Sequence, residues 1–179
     1  MLINYYLLEE LPEKNYDEII CLLILTDNEF IPPLSSRRNT TQEIFHFDED
    51  KKSKSISNYF QALKKQKFIL ASIDSKIIGF LSYIKNHIIT DVNVLSNNAY
   101  VSTICIDPEY RRRGITNCFY EKLEIDINNQ LVYTRTWSQN ISHINLLIKR
   151  NYKLIHEIIN DRASGINTVY YAKTLDGIK

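Results

Sequence analysis

The sequence predicts an α/β protein, and three observations support this class. Seven short segments rich in β-branched and aromatic residues alternate with four segments whose apolar residues recur at helical spacing. Hydrophobic residues make up 44% of the 179 residues and charged residues 24%, as in ordinary globular domains. No internal repeat, linker or low-complexity tract interrupts the chain. We therefore expect a single domain over residues 1–179, large enough to fold without disulfides.

The first half of the chain contains a strand, two helices and a hairpin. The predicted elements are a strand at residues 2–8, helices at 16–27 and 55–65, and strands at 67–73 and 76–88. Asn15 is placed to cap the first helix, because its side chain can accept from backbone N–H groups of the first turn. The polar pair Asp74-Ser75 joins the last two strands as a hairpin turn. Gly79 predicts a bulge or a close approach of another backbone.

A long segment without periodicity separates the first two helices. It runs from Phe30 to Lys54, contains Pro32-Pro33, and ends in aromatic residues followed by the acidic run 48–50. A loop of this length in a compact domain is usually functional or mobile. Two interpretations stay open, a solvated surface excursion and a segment that faces the substrate. Phe30 is a candidate to line a substrate cleft in the second case.

The second half of the chain adds four strands and two helices. The predicted strands are residues 100–106, 131–136, 152–159 and 167–175, and the helices are residues 115–127 and 141–150. Asn140 stands before the last helix as its cap, and Asn151 stands where a left-handed residue would end it. Residues 161–165 are polar or small and predict the loop between the last two strands.

The stretch from Tyr100 to Tyr120 has the pattern of an anion site. A β-branched strand ends at Asp107-Pro108-Glu109, because proline cannot donate to a sheet. Arg111 to Arg113 then lead into Gly114, a residue that allows a tight turn and a close approach to a ligand. A helix starts immediately afterwards. Its exposed amides, with three guanidinium groups beside them, would suit a phosphate.

This stretch resembles the cofactor-binding motif of the GNAT superfamily of acyl-CoA-dependent N-acetyltransferases. The family pattern is Gln or Arg, two residues, Gly, one residue, then Gly or Ala; residues 111–116 fill it except for Thr116 at the last position. Residues 137–152 resemble the second motif of the family, in which an asparagine, here Asn140, opens a helix. The resemblance implies the GNAT fold, a mixed and mostly antiparallel central sheet of about seven strands flanked by about four helices.

The resemblance implies a binding site for acetyl-CoA along this stretch. No metal is expected, because His46, His87, His143 and His156 show no metal-ligand spacing. Amides of the turn would hold the pyrophosphate, the free edge of the strand would pair with the pantetheine arm, and a strand amide would stabilise the oxyanion. The implied cofactor-binding residues are Ile104, Cys105, Ile106, Arg111, Arg112, Arg113, Gly114, Ile115, Thr116, Asn117 and Asn140.

The residues that transfer protons are left open by the resemblance. The tyrosine that acts as general acid in the family falls on Leu147, which cannot transfer a proton. Tyr152, Ser142 or a water would have to protonate the thiolate, or the thiolate leaves unassisted. Tyr100 is a candidate base, with a half-buried strand residue as the alternative. Trp137 follows a strand end and is a candidate to line the acceptor cleft.

Two functions of different classes follow from these observations. The first is transfer of an acetyl group from acetyl-CoA directly to a primary amine of a small molecule or peptide. The second is a non-catalytic acyl-CoA-binding module, suggested by Leu147 and by the lack of a clear base. Acidic residues of the 30–54 segment and Glu29 could attract a cationic amine. The resemblance is also compatible with a homodimer.

Composition and charge argue against several other classes. The 22 basic and 21 acidic side chains give a net charge of +1, so no overall field favours nucleic acid or a membrane surface. The apolar runs are too short to span a bilayer, and a cytoplasmic location is expected. Cys21, Cys105 and Cys118 are widely spaced and odd in number, which favours reduced thiols over a disulfide framework or a zinc site.

Overall fold

The computed structural model describes residues 2–42, 55–88, 97–128 and 130–175. The strands are β1 (Asn4–Leu8), β2 (Lys67–Ile73), β3 (Lys76–Lys85), β4 (Asn98–Ile106), β5 (Leu131–Trp137), β6 (Lys153–Ala163) and β7 (Ile166–Thr174). The helices are α1 (Tyr16–Thr26), α2 (Ile56–Leu63), α3 (Ile115–Asp126) and α4 (Ile141–Lys149). Short 3₁₀ turns lie at Glu13–Asn15, Asp27–Glu29, Leu34–Ser36 and Pro108–Tyr110. The predicted α/β class, with seven strands and four helices, is confirmed for the described residues.

All described strands belong to one sheet in the order β1-β2-β3-β4-β5-β7-β6. Neighbouring strands pair antiparallel, except that β4 and β5 are parallel. A parallel pair needs a crossover connection, and α3 supplies it between these two strands. The predicted sheet, mixed and mostly antiparallel, is therefore confirmed.

The helices cover both faces of this sheet. Phe119 and Leu123 of α3 and Leu147 of α4 pack against one face and are fully buried there. Leu23 of α1 and Leu63 of α2 are buried on the other face. A third cluster, built from tyrosines, lies where β4, β5 and β7 meet. Burial of these apolar faces against the sheet holds the layers together.

Gly79 lies both at a bulge and at a close backbone approach, as predicted. Ala71 pairs with Gly79 but the next residue of β2 pairs with Ile77, so the register shifts at this point. A Cβ atom at Gly79 would lie 2.9 Å from the carbonyl oxygen of Cys105 in β4. Glycine is required here because any side chain would push β3 away from β4.

The termini of the elements agree with the predicted capping at most positions. As predicted, Asn140 accepts from the backbone N–H of His143 and Asn151 has a left-handed φ of 65°. At the start of α2, Ser55 accepts from the backbone N–H of Ser57. Asn15 precedes α1 but makes no side-chain cap; its amide donates to Glu18 instead. The prediction for Asn15 was wrong because a 3₁₀ turn leads directly into the helix.

The predicted loop at 161–165 was wrong for its first residues. Asp161 and Arg162 belong to β6, and only Ser164 and Gly165 form the turn. Both charged side chains are buried, at 4% and 2% exposure. Thr168 of β7 donates to the Asp161 carboxylate and accepts from Arg162 Nε. These hydrogen bonds across the two strands satisfy the two buried charged side chains, which from the sequence alone would predict a loop.

None of the helices in the described ranges is long and apolar enough to cross a membrane.

Candidate active site

A cleft opens where β4 and β5 separate. The two strands pair only from Asn98 to Val101 and from Leu131 to Thr134, although β4 continues to Ile106 and β5 to Trp137. Thr134 Oγ1 donates to the Val101 carbonyl oxygen at 3.1 Å, at the point where pairing ends. Beyond it lies a cavity of about 460 Å³ between the diverging strands. We call this cavity the cleft; its size is that of a small-molecule site.

The backbone of β4 is exposed to the cleft beyond Val101. A register shift against β3 leaves Ser102 as an extra residue, so that β4 bends away from β5. Ile104 and Ile106 then pack toward α3 and α4, whereas Cys105 is buried among side chains of α1 and α2. The edge of β4 that faces away from β3 has no strand partner here, and an extended amide-containing ligand can pair with such an edge.

The start of α3 forms one end of the cleft. Gly114 has a φ of 76°, and α3 begins at the next residue. The first amides of a helix lack intrahelical acceptors and attract anions. A Cβ atom built on Gly114 would meet nothing within 4 Å, so the space in front of these amides is open. Arg112, also at positive φ, and Thr116 line the same end.

The three consecutive arginines have different surroundings. Arg111 Nη2 donates to both carboxylate oxygens of Glu29, at 2.8 and 2.9 Å, and its Nε donates to the Ile106 carbonyl at 3.1 Å. This ties the end of β4 to the 3₁₀ turn that follows α1. Arg112 is exposed at the cleft. Arg113 lies over the ring of Tyr110 and does not line the cleft.

Most residues predicted to bind the cofactor surround the cleft. Those that line it are Ile104, Cys105, Ile106, Arg111, Arg112, Gly114, Ile115, Thr116, Asn117 and Asn140. Asn140 caps α4 and donates from Nδ2 to Thr136 Oγ1 at 3.0 Å, which fixes the helix to the end of β5. The binding roles of these residues, and that of Arg113, stay predictions.

Of the residues predicted to transfer protons from the α4 region, Ser142 lines the cleft and Tyr152 does not. Ser142 is exposed on the first turn of α4 and lines the cleft. Tyr152 does not line it, because its hydroxyl donates to Glu124 in a cluster with Arg150. Leu147 is fully buried in the core beneath α4. A role for Tyr152 in catalysis is therefore not favoured by its position.

A second tyrosine, which the sequence did not single out, approaches the same region from α3. The Tyr120 hydroxyl is 2.9 Å from His143 Nε2, and His143 lines the cleft. Burial raises the pKa of Tyr120, while Thr134 at the separation of the strands acts in the opposite direction. Burial lowers the pKa of His143 to about 4, so the imidazole is neutral at pH 7. Phenol and imidazole thus form a neutral pair beside the cleft.

Tyr100 lies at the other end of the cleft and is 2% exposed. Its ring stacks on Tyr133 at 5.0 Å, and its hydroxyl accepts from Arg135 Nε at 2.9 Å. Phe30 and Trp137 line the cleft nearby with ring centroids 5.8 Å apart. The proposed base and the two proposed lining residues therefore share one region, and their roles stay predictions.

Three arginines that the sequence analysis did not identify also line the cleft. They are Arg37 from the segment after α1, Arg135 from β5 and Arg162 from β6. The part of the 30–54 segment that the structure describes thus faces the cleft; its acidic run lies outside the described residues. The sequence did contain one feature that could have pointed to them. Arg135 lies in the middle of a predicted strand, and a central strand seldom carries a charge.

The described residues contain no group of three or more His, Cys, Asp or Glu side chains that could hold a metal ion. The site is made of backbone amides, guanidinium groups and neutral hydroxyls around an open strand edge. Such a site can bind a phosphate-containing thioester and stabilise a developing oxyanion.

The arrangement defines an acyltransferase cleft of the type formed by two diverging parallel strands. Residues 34–147 match the sequence model of the Acetyltransferase (GNAT) family, which is more than half of the chain. The chain belongs to this family, and the predicted resemblance is confirmed. No curated protein sequence matches the chain.

Several solved structures share the fold of this chain. The ribosomal-protein-S18-alanine N-acetyltransferase from Escherichia coli aligns with a TM-score of 0.67 at 11% identity, over 99% of this chain and 97% of that chain. An N-acetyltransferase from Staphylococcus aureus aligns with a TM-score of 0.65 at 13% identity, over 97% and 99%. The yncA protein from Salmonella typhimurium, solved with its cofactor acetyl-CoA, aligns with a TM-score of 0.64 at 9% identity, over 98% and 96%. At these identities the likeness concerns the fold.

Proposed function

We propose that this protein transfers an acetyl group from acetyl-CoA directly to a primary amine. The observation that carries the proposal is the cleft between β4 and β5, which places an open helix N-terminus, an unpaired strand edge and a polar acceptor region in one continuous cavity. These are the parts that direct transfer from a phosphate-containing thioester requires.

The pyrophosphate would lie at the turn before α3. Arg112 and residues 114–117 line this end, so their amides could bind the phosphates, and Arg112 adds a positive charge. Arg111 has a different role, because its guanidinium is held by Glu29 and by the Ile106 carbonyl. It fixes the end of β4, along whose edge the amide-rich arm of the cofactor would pair.

The reaction forms one bond and breaks another. The lone pair of a neutral amine attacks the thioester carbonyl carbon, a C–N bond forms, the C–S bond breaks, and the nitrogen loses one proton while the thiolate gains one. Acetyl-CoA supplies the activated acetyl group. A backbone amide of β4 near the Ser102 bulge would stabilise negative charge on the carbonyl oxygen.

Tyr120 is the proposed source of the proton for the thiolate, acting through His143, because Tyr120 itself is fully buried and only His143 lines the cleft. Leu147 occupies the position of the family's tyrosine and carries no proton to give. Tyr120 instead presents a phenol from α3, hydrogen-bonded to His143 at the wall of the cleft. Burial keeps the phenol protonated and the imidazole neutral at pH 7, so the pair could relay a proton from the phenol through the ring of His143 to the cleft.

Binding and turnover test the proposal separately. Isothermal titration measures acetyl-CoA binding, and release of free thiol is followed over a panel of amines, with mass spectrometry to identify the acetylated product. We expect binding, together with amine-dependent thiol release. Absence of binding would overturn the proposal. Binding without thiol release for any amine would instead favour a non-catalytic acyl-CoA-binding module.

A further inference from the structure

We propose, on the basis of the acetyltransferase function above, that Gln66 is a positioning residue for acetyl transfer. Its side chain holds Ser102 at the bulge of β4 and Thr40 in the segment after α1. Both of these residues line the cleft, whereas Gln66 does not. Gln66 would therefore act through its two partners, by fixing the part of β4 whose amide stabilises the oxyanion.

Gln66 is enclosed in the turn between α2 and β2. It is 6% exposed, and its backbone N–H donates to the Leu63 carbonyl of α2 at 3.0 Å. Its side-chain Nε2 donates to Thr40 Oγ1 at 2.6 Å, and its Oε1 accepts from Ser102 Oγ. Both ends of the buried amide are thus hydrogen-bonded, which offsets the cost of burying it.

Ser102 occupies the position in β4 where the regular pairing with the neighbouring strands changes. Against β3, Thr103 and Val101 are paired, and Ser102 between them is the extra residue of a bulge. Against β5, pairing ends at Val101. A bulged residue is left out of the ladder, so the pairing of the strands does not fix the backbone of Ser102. Hydrogen bonds of its side chain can take over that task.

The hydroxyl of Ser102 connects Gln66 to β3. Ser102 Oγ lies 2.9 Å from Ser82 Oγ, and Ser82 is fully buried. A hydroxyl has one proton to donate, and that of Ser102 goes to Gln66, so Ser82 is the donor in this contact. The hydrogen bonds form one chain from Ser82 through Ser102 and Gln66 to Thr40. Loss of the Gln66 amide would interrupt this chain in the middle.

The other end of the chain lies in the segment that follows α1. Thr40 is 6% exposed and lines the cleft, as does Arg37 earlier in the same segment. Gln66 therefore joins the bulge of β4 to a segment that is remote in sequence, through one buried side chain. The two residues of the cleft are thereby held in a fixed relation to each other.

The orientation of the bulge matters because hydrogen bonds weaken steeply as their angle departs from linearity. Removal of a whole oxyanion donor costs about 100- to 1,000-fold in kcat, so a donor that is present but less well fixed should cost about tenfold. If Gln66 only stabilised the fold, its loss would lower the free energy of unfolding and leave kcat of the folded enzyme unchanged. The value of kcat therefore separates the two roles.

The first test removes both hydrogen bonds of the Gln66 side chain while keeping its size. Gln66→Met has a side chain of the same length in which apolar atoms replace the amide. With the amine that turns over fastest, we expect kcat to fall about tenfold or more while acetyl-CoA affinity stays within about twofold. Tyr83→Phe is the control, because it removes the hydrogen bond of another buried side chain, to Asp126, and should keep kcat. Unchanged kcat in Gln66→Met, or an equal loss in both variants, would overturn the inference.

A second variant shows whether Gln66 acts through Ser102. Ser102→Ala removes only the hydroxyl that Gln66 holds, so it tests the same contact even if Gln66→Met destabilises the fold. We expect it to lower kcat to a similar extent, about tenfold. The double variant should be no slower than the slower single variant, because both changes remove the same contact. Multiplication of the two losses in the double variant would overturn the inference.

An infrared measurement distinguishes failure of this inference from failure of the proposed function. Acetyl-CoA with an isotope label at the thioester carbonyl is bound without any amine, so that no transfer occurs. A hydrogen bond to the carbonyl oxygen lowers the C=O stretching frequency, and we expect a higher frequency in Gln66→Met than in the unchanged protein. The same frequency in both proteins would overturn the inference even where amines are acetylated. If acetyl-CoA binds but no amine turns over, acetyl transfer fails, and a frequency difference still supports the position given to Gln66.

Discussion

The two ends of the cleft are built in different ways. One end is lined by residues of one turn and one helix start, namely Arg111, Arg112 and residues 114–117. At the end near Tyr100, side chains from three remote positions, Arg37, Arg135 and Arg162, face it. Backbone groups suit a ligand that is always the same, whereas side chains can change between relatives. The comparison agrees with the proposal that the first end binds the cofactor and the second end binds the acceptor.

The largest effect is expected at the turn before α3. Gly114→Trp would fill the open space in front of the helix amides and weaken acetyl-CoA binding by about 100-fold, the loss of two charge-assisted hydrogen bonds of about 1.5 kcal/mol each. Isothermal titration measures the affinity. Gly165→Trp is the control, because Gly165 has a φ of 74° and open space as well but lies in the β6–β7 turn. Equal affinity in both variants would place the cofactor elsewhere.

Loss of the phenol on α3 should reduce turnover without affecting the cofactor end. Tyr120→Phe removes the hydroxyl 2.9 Å from His143, and we expect kcat to fall about 10- to 100-fold at unchanged acetyl-CoA affinity. Steady-state kinetics measures this. Tyr83→Phe removes a different hydroxyl, bonded to Asp126 at the far end of α3, and should keep kcat. If both variants lose turnover equally, the role of Tyr120 is structural.

A cluster of charged groups outside the cleft should matter for stability alone. Glu124 accepts from Arg150 and Lys173 at 2.9 Å each and from Tyr152. Burial acts to raise its pKa, but these cationic partners outweigh burial and the pKa is lowered. Glu124→Gln should reduce the free energy of unfolding by about 1–3 kcal/mol, measured by urea denaturation. Acetyl-CoA affinity should not change, and a large loss of affinity would extend the site to this cluster.

The smallest effect concerns pH. The pKa of His143 is lowered by burial from 6.5 to about 4, so between these values the unfolded chain binds a proton that the folded protein does not. This contribution to stability is present above pH 6.5 and is lost as the pH falls toward 4. Chemical denaturation at several pH values should show the loss, and His143→Gln should reduce it. If the free energy of unfolding depends on pH in the variant as it does in the original protein, other groups cause the pH dependence.

The cofactor end could be predicted from sequence because its groups are contiguous. Arg111 to Thr116 follow a strand and precede a helix, and a turn of this kind needs Gly114 whatever the rest of the fold is. The acceptor end could not be predicted in this way. Arg162 was assigned to a loop, and only its bond to Thr168 across the strands explains its burial. Cytoplasmic location and a homodimer stay predictions.

The choice of proton donor shows the same limit of prediction from sequence. The sequence indicated that Leu147 could not act as the acid, and it suggested Tyr152 as a replacement. In the structure the Tyr152 hydroxyl is bonded to Glu124, and Tyr120 from another helix approaches His143. Sequence spacing describes which residues share one helix face, but not which residues of two helices meet.

The sequence by itself determined the fold class, the strand, turn and helix at residues 100–120 and the family, because these depend on local periodicity and on one glycine turn. Tertiary structure decided the separation of β4 from β5, the meeting of Tyr120 with His143 and the convergence of Arg37, Arg135 and Arg162. The physical reason is that side-chain contacts between distant segments depend on packing and on the balance of buried charge, which no short stretch of sequence contains.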